Sequence, residues 1–344
     1  MSAARPPELG VAWGFKKQSA IGTPAVAAEC WTLNKIGAGI VNPEMVTEDD
    51  AGEIGKGHEF ATATYKSHIN VGPAPIEKYL SSEIMAWAAA FGLGSVAKTG
   101  TTPNFTYTCA EAAPVTDGIE LPYFTYVQAI RQGASDLFDH AFIGCALDSF
   151  LVSVNSAPGR QSSRIAMNWV GSGKFVEPGT ITLPAKTTEH EMPGASLALT
   201  IIGVDYVTAK NIVSLEWGWQ NNIDPTKGFY PGSGTQSGYA LRGRLEMGTR
   251  VPILRFVARF ENGSAEVTKL IAGTTGTAVI TQTYDANNTY TATFNQVAFR
   301  AALLGETDNI VTISVEASPQ YASATGVLDV VAKAAFDDIC QAPV

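Results

Sequence analysis

Two segments of the sequence repeat each other at a constant spacing, and this repeat limits the possible folds more than any other feature. Residues 31–43 align with residues 213–225, an offset of 182 positions, and both segments end on a proline. In each half a glycine-rich loop, a strand-like stretch and a helix-like stretch follow in the same order. A final strand-like stretch closes the halves at 165–170 and 310–315. This shared order predicts an internal duplication, since repeated units bury a common core by packing on each other.

Most of the remaining sequence shows the period-two alternation that is typical of β-strands. Leu254, Phe256 and Ala258 alternate with residues such as Arg255, which places the apolar side chains on one face of a strand. The same rhythm occurs at 165–169, 213–219, 241–247 and 311–315. Polar residues at 285–288 interrupt two such runs and predict a hairpin turn. The sequence therefore predicts a mainly β chain with a few helices.

Helical periodicity is confined to three stretches of the sequence. Apolar residues at three- and four-residue spacing over 76–91 predict a helix that begins near Pro75 and ends near Gly92. Residues 327–339 have a similar spacing and are either a third helix or a tail.

The other helix is predicted over residues 264–272. Val267, Leu270 and Ile271 are expected to face inward, and Gly273 is expected to end the helix. Each half of the chain then contains one good helix, which agrees with a duplication.

These patterns predict two tandem, mainly β domains, each with one helix. The predicted divisions are an N-terminal arm over 1–27, a first domain over 28–178, a linker over 179–195, a second domain over 196–322 and a C-terminal arm or short helix over 323–344.

Composition and charge exclude several classes of protein. Hydrophobic residues make up 45% of the 344 residues, which is enough to build a core and argues against disorder. The 32 acidic and 23 basic residues give a net charge of −9, so the cationic surface of a nucleic-acid-binding protein is not expected. The first ten residues have no apolar signal region, and the longest apolar run covers only 84–91. We therefore expect a chain made in the cytoplasm.

No motif in the sequence predicts catalysis. The acidic residues Glu48, Asp49, Asp50 and Glu53 could hold calcium, but their spacing lacks the pattern of a calcium loop and favours a solvated acidic loop. The four cysteines form no C-x-x-C pair, and no G-x-S-x-G nucleophile motif is present. The sequence therefore predicts no catalytic residue, no cofactor and no metal.

Several short segments of the sequence resemble one known family. They lie at 46–50, 53–60, 76–82, 116–121, 177–184, 229–234 and 255–263. In these segments the chain resembles the tail tube (major tail) protein of long-tailed, non-contractile-type bacteriophages, over roughly residues 10–325. The resemblance implies tail-tube-like β-sandwich domains whose inner sheets join between neighbours into a β-lined ring.

The resemblance also implies a function and a set of partners. Rings would stack into the tail tube, the channel through which genomic DNA passes into the host. The chain would act as a structural virion protein, located in the tail, and not as an enzyme. Its partners would be copies of itself, the tape measure protein and the tail terminator or distal tail proteins, with viral DNA as transient cargo and no membrane. The duplication favours a trimeric, pseudo-six-fold ring over a hexamer.

Two loops are candidates for the contact between stacked rings. They occupy corresponding places in the two predicted halves. The candidate residues are Glu48, Asp49, Asp50, Glu53, Phe229 and Tyr230.

Two other functions remain open at this point. Another phage virion β protein, such as a capsid or decoration protein, would share the composition but would form shells or stay monomeric. A carbohydrate-binding β-sandwich would need an exposed aromatic platform, for which Trp217 and Trp219 are the candidates because they lie on one face of a strand. That face is more typical of a core.

Overall fold

The computed structural model is mainly β, with 61% of residues in strands and two helices in the part that it describes, as the alternation predicts. The described residues are 9–19, 21–25, 31–32, 40–49, 63–101, 104–112, 121–132, 135–157, 159–176, 188–207, 212–260, 265–307, 310–322 and 325–335.

Eleven strands and the first helix lie before residue 177. They are β1 (Leu9–Lys17), β2 (Trp31–Thr32), β3 (Glu44–Asp49), β4 (Thr64–Asn70), β5 (Ala74–Tyr79), α1 (Ser82–Leu93), β6 (Gly94–Thr101), β7 (Asn104–Glu111), β8 (Phe124–Gln132), β9 (Ser135–Asn155), β10 (Ser163–Val170) and β11 (Lys174–Val176).

Ten strands and the second helix follow. They are β12 (Ala198–Ile201), β13 (Val204–Asp205), β14 (Ile212–Gln220), β15 (Thr235–Gln236), β16 (Tyr239–Ala240), β17 (Val251–Arg259), α2 (Ala265–Ala272), β18 (Thr275–Asp285), β19 (Asn288–Thr307), β20 (Ile310–Pro319) and β21 (Leu328–Ala334). Single turns of 3₁₀ helix lie at Gly159–Ser162 and Gly194–Ser196.

The same order of antiparallel strand pairing occurs twice along the chain. In the first set β1 pairs with β8, β8 with β9, β9 with β10, β10 with β5 and β11 with β9. In the second set β12 pairs with β18, β18 with β19, β19 with β20, β20 with β17 and β21 with β19. The helix follows β5 in one set and β17 in the other, and the β6–β7 hairpin is an addition to the first set.

Two further pairings join the sets. β14, which pairs with β17 of the second set, also lies antiparallel to β9 of the first set. β21 of the second set lies antiparallel to β7 of the added hairpin, so all these strands belong to one network of 17 strands. Their apolar faces share one hydrophobic core, which runs from Trp13 to Ala334. The division of the chain into two separate domains stays a prediction.

Helix α1 begins later than the sequence analysis predicts. Residues 74–79 form β5, where Ile76 is buried in a strand that pairs with β10, and the helix starts at Ser82. Ser81 caps it, because its Oγ accepts a hydrogen bond from the Ile84 amide at 3.3 Å. Gly94 ends it at a φ of 95°, which glycine adopts without strain. All twelve helical residues are buried, so α1 is a core helix.

Helix α2 lies where it is predicted, but one of its apolar residues faces solvent. Val267 and Leu270 pack on the core, whereas Ile271 is 81% exposed, so its predicted inward orientation is wrong. Successive residues point about 100° apart on a helix, so Leu270 and Ile271 cannot both face a core that covers a narrow stripe. Gly273 follows the helix at a φ of 60°, as expected.

The third predicted helix is a strand. Residues 328–334 form β21, in which Leu328, Val330, Ala332 and Ala334 are buried in strict alternation. The strand lies between β7 and β19 and pairs with both. Its apolar residues fit either period, and these two distant neighbours decide in favour of the strand.

Residues 241–247 form no strand, contrary to their alternating pattern. Arg242, which the pattern places in solvent, is only 2% exposed. By contrast, the hairpin turn between β18 and β19 is confirmed, and the Asp285 carboxylate accepts hydrogen bonds from the amides of Asn287 and Asn288 at 2.8 Å.

Candidate functional site

A small four-stranded sheet brings the two predicted contact loops to one place. Its order is β15-β16-β4-β3, with β3 antiparallel to β4 and β16 parallel to β4 at Ala240 and His68. The acidic residues end β3, and the loop over 228–237 leads into β15 and β16. We call this sheet and the 228–237 loop the small-sheet surface.

The two acidic candidates that the structure describes are exposed and tied to the neighbouring strand. Glu48 accepts a hydrogen bond from Ser67 Oγ at 2.6 Å, and Asp49 accepts one from Thr64 Oγ1 at 2.7 Å. Each carboxylate therefore has its own partner on β4. Asp50 and Glu53 lie outside the described residues.

The two aromatic candidates differ in their exposure. The Phe229 ring is partly buried, with its centroid 4.8 Å from that of His68 and 4.7 Å from the Arg242 guanidinium. Tyr230 is 47% exposed, and its hydroxyl donates a hydrogen bond to the Glu246 carboxylate. Phe229 thus holds the loop against the sheet, while Tyr230 is available to a neighbour.

Arg242 anchors this surface, and the sequence analysis missed it. Its guanidinium donates to Ile69 O at 3.2 Å, to Asn70 Oδ1 at 2.7 Å and to Pro225 O. Burial lowers the pKa of Arg242 to about 10, so the group keeps its charge at neutral pH. The only signal in the sequence is a loop rich in glycine and proline, whose carbonyl groups need a donor once they are buried.

His68, on β4, has a pKa below its ordinary value. Burial is the main cause, and the positive charge of Arg242 adds to it, while Glu48 acts in the opposite direction. The ring is therefore neutral at physiological pH and packs on Phe229 as an aromatic group.

A second cluster of charges lies at the beginning of α1. The Lys78 ammonium forms an ion pair with Glu189, and both side chains are almost fully buried. The Glu83 carboxylate, also buried, lies 2.7 Å from His190 Nδ1. Burial lowers the pKa of Lys78, against the opposing effect of Glu189. These contacts join residues of the predicted linker to the helix and strand that precede it, which is a structural role.

The described surface also has a cavity of about 520 Å³. It lies between the ends of β9, β14, β17 and β20, and Arg259 is the single charged side chain in its lining. General acid–base catalysis needs a positioned side chain that takes up or releases a proton near neutral pH. The described lining residues include no His, Asp, Glu, Lys, Tyr or Cys.

Other groups that could carry chemistry are isolated from each other. In the part of the chain that the structure describes, no three of the His, Cys, Asp and Glu residues are close enough to hold a metal ion. Cys109 and Cys145 are buried, and burial raises the pKa of both thiols well above the ordinary range, so they are unreactive. None of the described helices has the length and apolar character needed to cross a bilayer.

No family model matches the sequence, and no curated protein is similar to it.

Proposed function

We propose that the chain is a structural subunit that assembles with copies of itself into stacked rings, which form the tail tube of a bacteriophage. The observation that carries the proposal is the repeated order of strand pairing, because it supports two copies of one β unit in a single chain. The resemblance in sequence to tail tube proteins supplies the kind of assembly.

The joint between β9 and β14 is the reason to expect a ring. It joins two different surfaces of the two units, which is a heterologous contact. If the same contact also forms between chains, it continues the row of units. Such a row closes into a ring when the rotation from one unit to the next adds up to a full turn. Three chains of two units each would give a pseudo-six-fold trimer, which we prefer over a hexamer.

The net charge is compatible with a conduit for DNA. A lumen with an excess of the chain's 32 acidic residues would repel phosphates, so the DNA would slide without adhering. In this proposal the subunit is made in the host cytoplasm and ends in the virion tail. It would contact the tape measure protein inside the tube and the terminator or distal tail proteins at its ends.

The carbohydrate-binding alternative loses its candidate platform. Trp217 and Trp219 are buried, at 0% and 1% exposed, so neither ring is available to a sugar. They belong to the core, as the more typical interpretation of their alternation predicts. A capsid or decoration protein is the remaining alternative.

Electron microscopy of the purified chain tests the proposal. We expect rings or open-ended tubes in negative stain, and a mass in solution that is a multiple of 36.3 kDa, with three chains per ring. Closed shells would favour a capsid protein. A monomer at every concentration tested would contradict the proposal.

A further inference from the structure

The two longest strands, β9 and β19, bend at the same place in the pairing order. In the pairing of β9 with β10, Ser149 lies opposite Asn168 and Leu147 lies opposite Trp169, so Asp148 between them has no partner residue in β10. Arg300 of β19 likewise has no partner residue in β20. On the edge that pairs with β10 or β20, each strand therefore has one bulged residue, and seven further residues then end the strand.

These two seven-residue ends differ in their neighbours. Residues 149–155 of β9 have β10 along one edge and β14 along the other. Residues 301–307 of β19 pair with β20, and no other described strand pairs with them. β18 pairs with β19 only as far as Ala298. Within the described part of the chain, the end of β19 thus has one open edge.

The side chains at corresponding positions show the effect of the missing neighbour. Counted from the bulge, Leu151 corresponds to Leu303 and Val152 to Leu304. Val152, which pairs with Trp217 of β14, is 0% exposed, whereas Leu303 is 66% and Leu304 60% exposed. Successive residues of a strand point to opposite faces, so both faces of this strand end are uncovered.

Further apolar residues extend this exposed area. Val311, at the start of β20, is 52% exposed, and Ile310 beside it is 37% exposed. An open edge with apolar side chains is a template for another strand, and folded proteins normally cover or charge such edges. Something is therefore expected to cover the end of β19.

We infer that residues 301–307 of β19 bind an antiparallel strand from a second copy of this chain, as residues 149–155 of β9 bind β14 within one chain. The inference rests on the proposed function and names its ring-closing contact. A second copy is the expected occupant, because within one chain the corresponding edge of β9 is covered by β14, a strand of this same sequence. β14 itself already pairs with β9 and β17, so the incoming strand would be another segment of the second copy. It would flank Leu303 and Leu304 as β14 flanks Leu151 and Val152.

A charge at the centre of the edge tests the inference. We expect Leu304→Lys to leave a folded single chain of 36.3 kDa by analytical ultracentrifugation, while the wild-type protein assembles. Ile271→Lys is the matched control, because it makes the same kind of change at an isoleucine that is 81% exposed on α2, and it should assemble as the wild type does. Near-ultraviolet circular dichroism checks that both variants are folded.

Hydrogen exchange provides a second measurement that does not depend on a variant. In the wild-type assembly, the amides of 301–307 that point away from β20 should exchange at least tenfold more slowly than in the Leu304→Lys monomer, while the amides of α2 exchange equally in both. Equal exchange at 301–307 would overturn the inference.

The outcomes separate the inference from the proposed function. If Leu304→Lys forms the same rings as the wild type, the edge is not the contact, although the proposed function stands. If the wild type forms a small oligomer that Leu304→Lys abolishes, but never rings or tubes, the inference stands and the proposed function fails. A monomeric wild type with protected 301–307 amides would mean that the chain covers its own edge, which overturns the inference.

Discussion

A single buried charge at Lys78 links three parts of the fold. Its ammonium lies in the core face of β5, beside the start of α1, and pairs with Glu189 from the predicted linker. A buried ion pair adds little net stability compared with apolar residues, but breaking it by removing one partner is costly, because the other charge remains buried. The pair therefore fixes where the linker lies more than it stabilises the fold.

Replacing Glu189 tests this role. We expect Glu189→Gln to lower the free energy of unfolding by about 3–5 kcal/mol at neutral pH, since the Lys78 ammonium loses its countercharge. Because burial already lowers the pKa of Lys78, the unfolded state binds more protons than the folded state. The variant should therefore regain stability as the pH rises toward the ordinary lysine pKa of about 10.4. Urea unfolding at several pH values measures both effects.

Glu77, the neighbour of Lys78 in β5, provides the control. Its carboxylate pairs with Arg164 at 3.0 Å, but the two side chains are 47% and 39% exposed. Glu77→Gln should cost less than about 1 kcal/mol, as exposed ion pairs do. An equal cost for Glu77→Gln and Glu189→Gln would contradict the role of burial.

At the scale of elements, the joint between β9 and β14 depends on a close approach of two backbones. A Cβ at Gly218 would overlap the carbonyl oxygen of Phe150 and would lie 2.9 Å from the Leu151 Cα. Backbone atoms cannot move aside as a flexible side chain can, so only glycine fits between the strands at this point. The joint between the two strand sets thus has a specific requirement in the sequence.

We expect Gly218→Val to destabilise the fold by at least about 1–3 kcal/mol, since an overpacked residue forces the two strands apart. Thermal unfolding measures the loss, and hydrogen exchange of the β14 amides locates it. Gly22→Val is the control, because a Cβ at Gly22 meets no atom within 4 Å. The proposed close approach would be wrong if both variants melted at the wild-type temperature.

Elements that follow one local pattern are predictable from the sequence, and those decided by distant neighbours are not. The alternation in β17 predicts its buried residues Leu254, Phe256 and Ala258 because one face of that strand meets the core along its length. β21 is expected to be a helix or a tail, and its strand conformation is missed because its partners lie in β7 and β19, far away in the sequence.

The same distinction applies to the candidate site. The sequence identifies two loops, but only the pairing of β16 with β4 shows that they share one surface. Arg242 occupies a position in the alternating pattern that is typical of an exposed strand residue, yet its guanidinium is buried and donates hydrogen bonds to the carbonyl groups of Ile69 and Pro225. Partners of this kind are set by the folded chain and leave no local signal.

At the scale of the whole molecule, assembly into a tube needs two separate contacts. The end of β19 would close the ring, and the small-sheet surface is the candidate for stacking one ring on another. The two surfaces lie on different sheets, since β3, β4, β15 and β16 form no pairing with the 17-stranded network in the described part of the chain. Ring closure and stacking should therefore be separable by mutation.

Tyr230→Ala tests the stacking contact. Tyr230 is 47% exposed, and among the contacts described its side chain hydrogen bonds only through the hydroxyl to Glu246. Its backbone hydrogen bonds with Ser233 remain in the alanine variant, so the chain should fold without the ring. We expect separate rings, or tubes severalfold shorter than the wild type's, in negative-stain micrographs, because the removed aromatic ring would be a central contact residue.

Tyr321→Ala is the control. It removes a tyrosine that is 68% exposed outside the small-sheet surface, and it should leave the tube length unchanged. Tubes of full length from Tyr230→Ala would show that the small-sheet surface does not depend on this residue for stacking. Dissociated chains would instead place Tyr230 in the ring-closing contact, and the two surfaces would then not be separate.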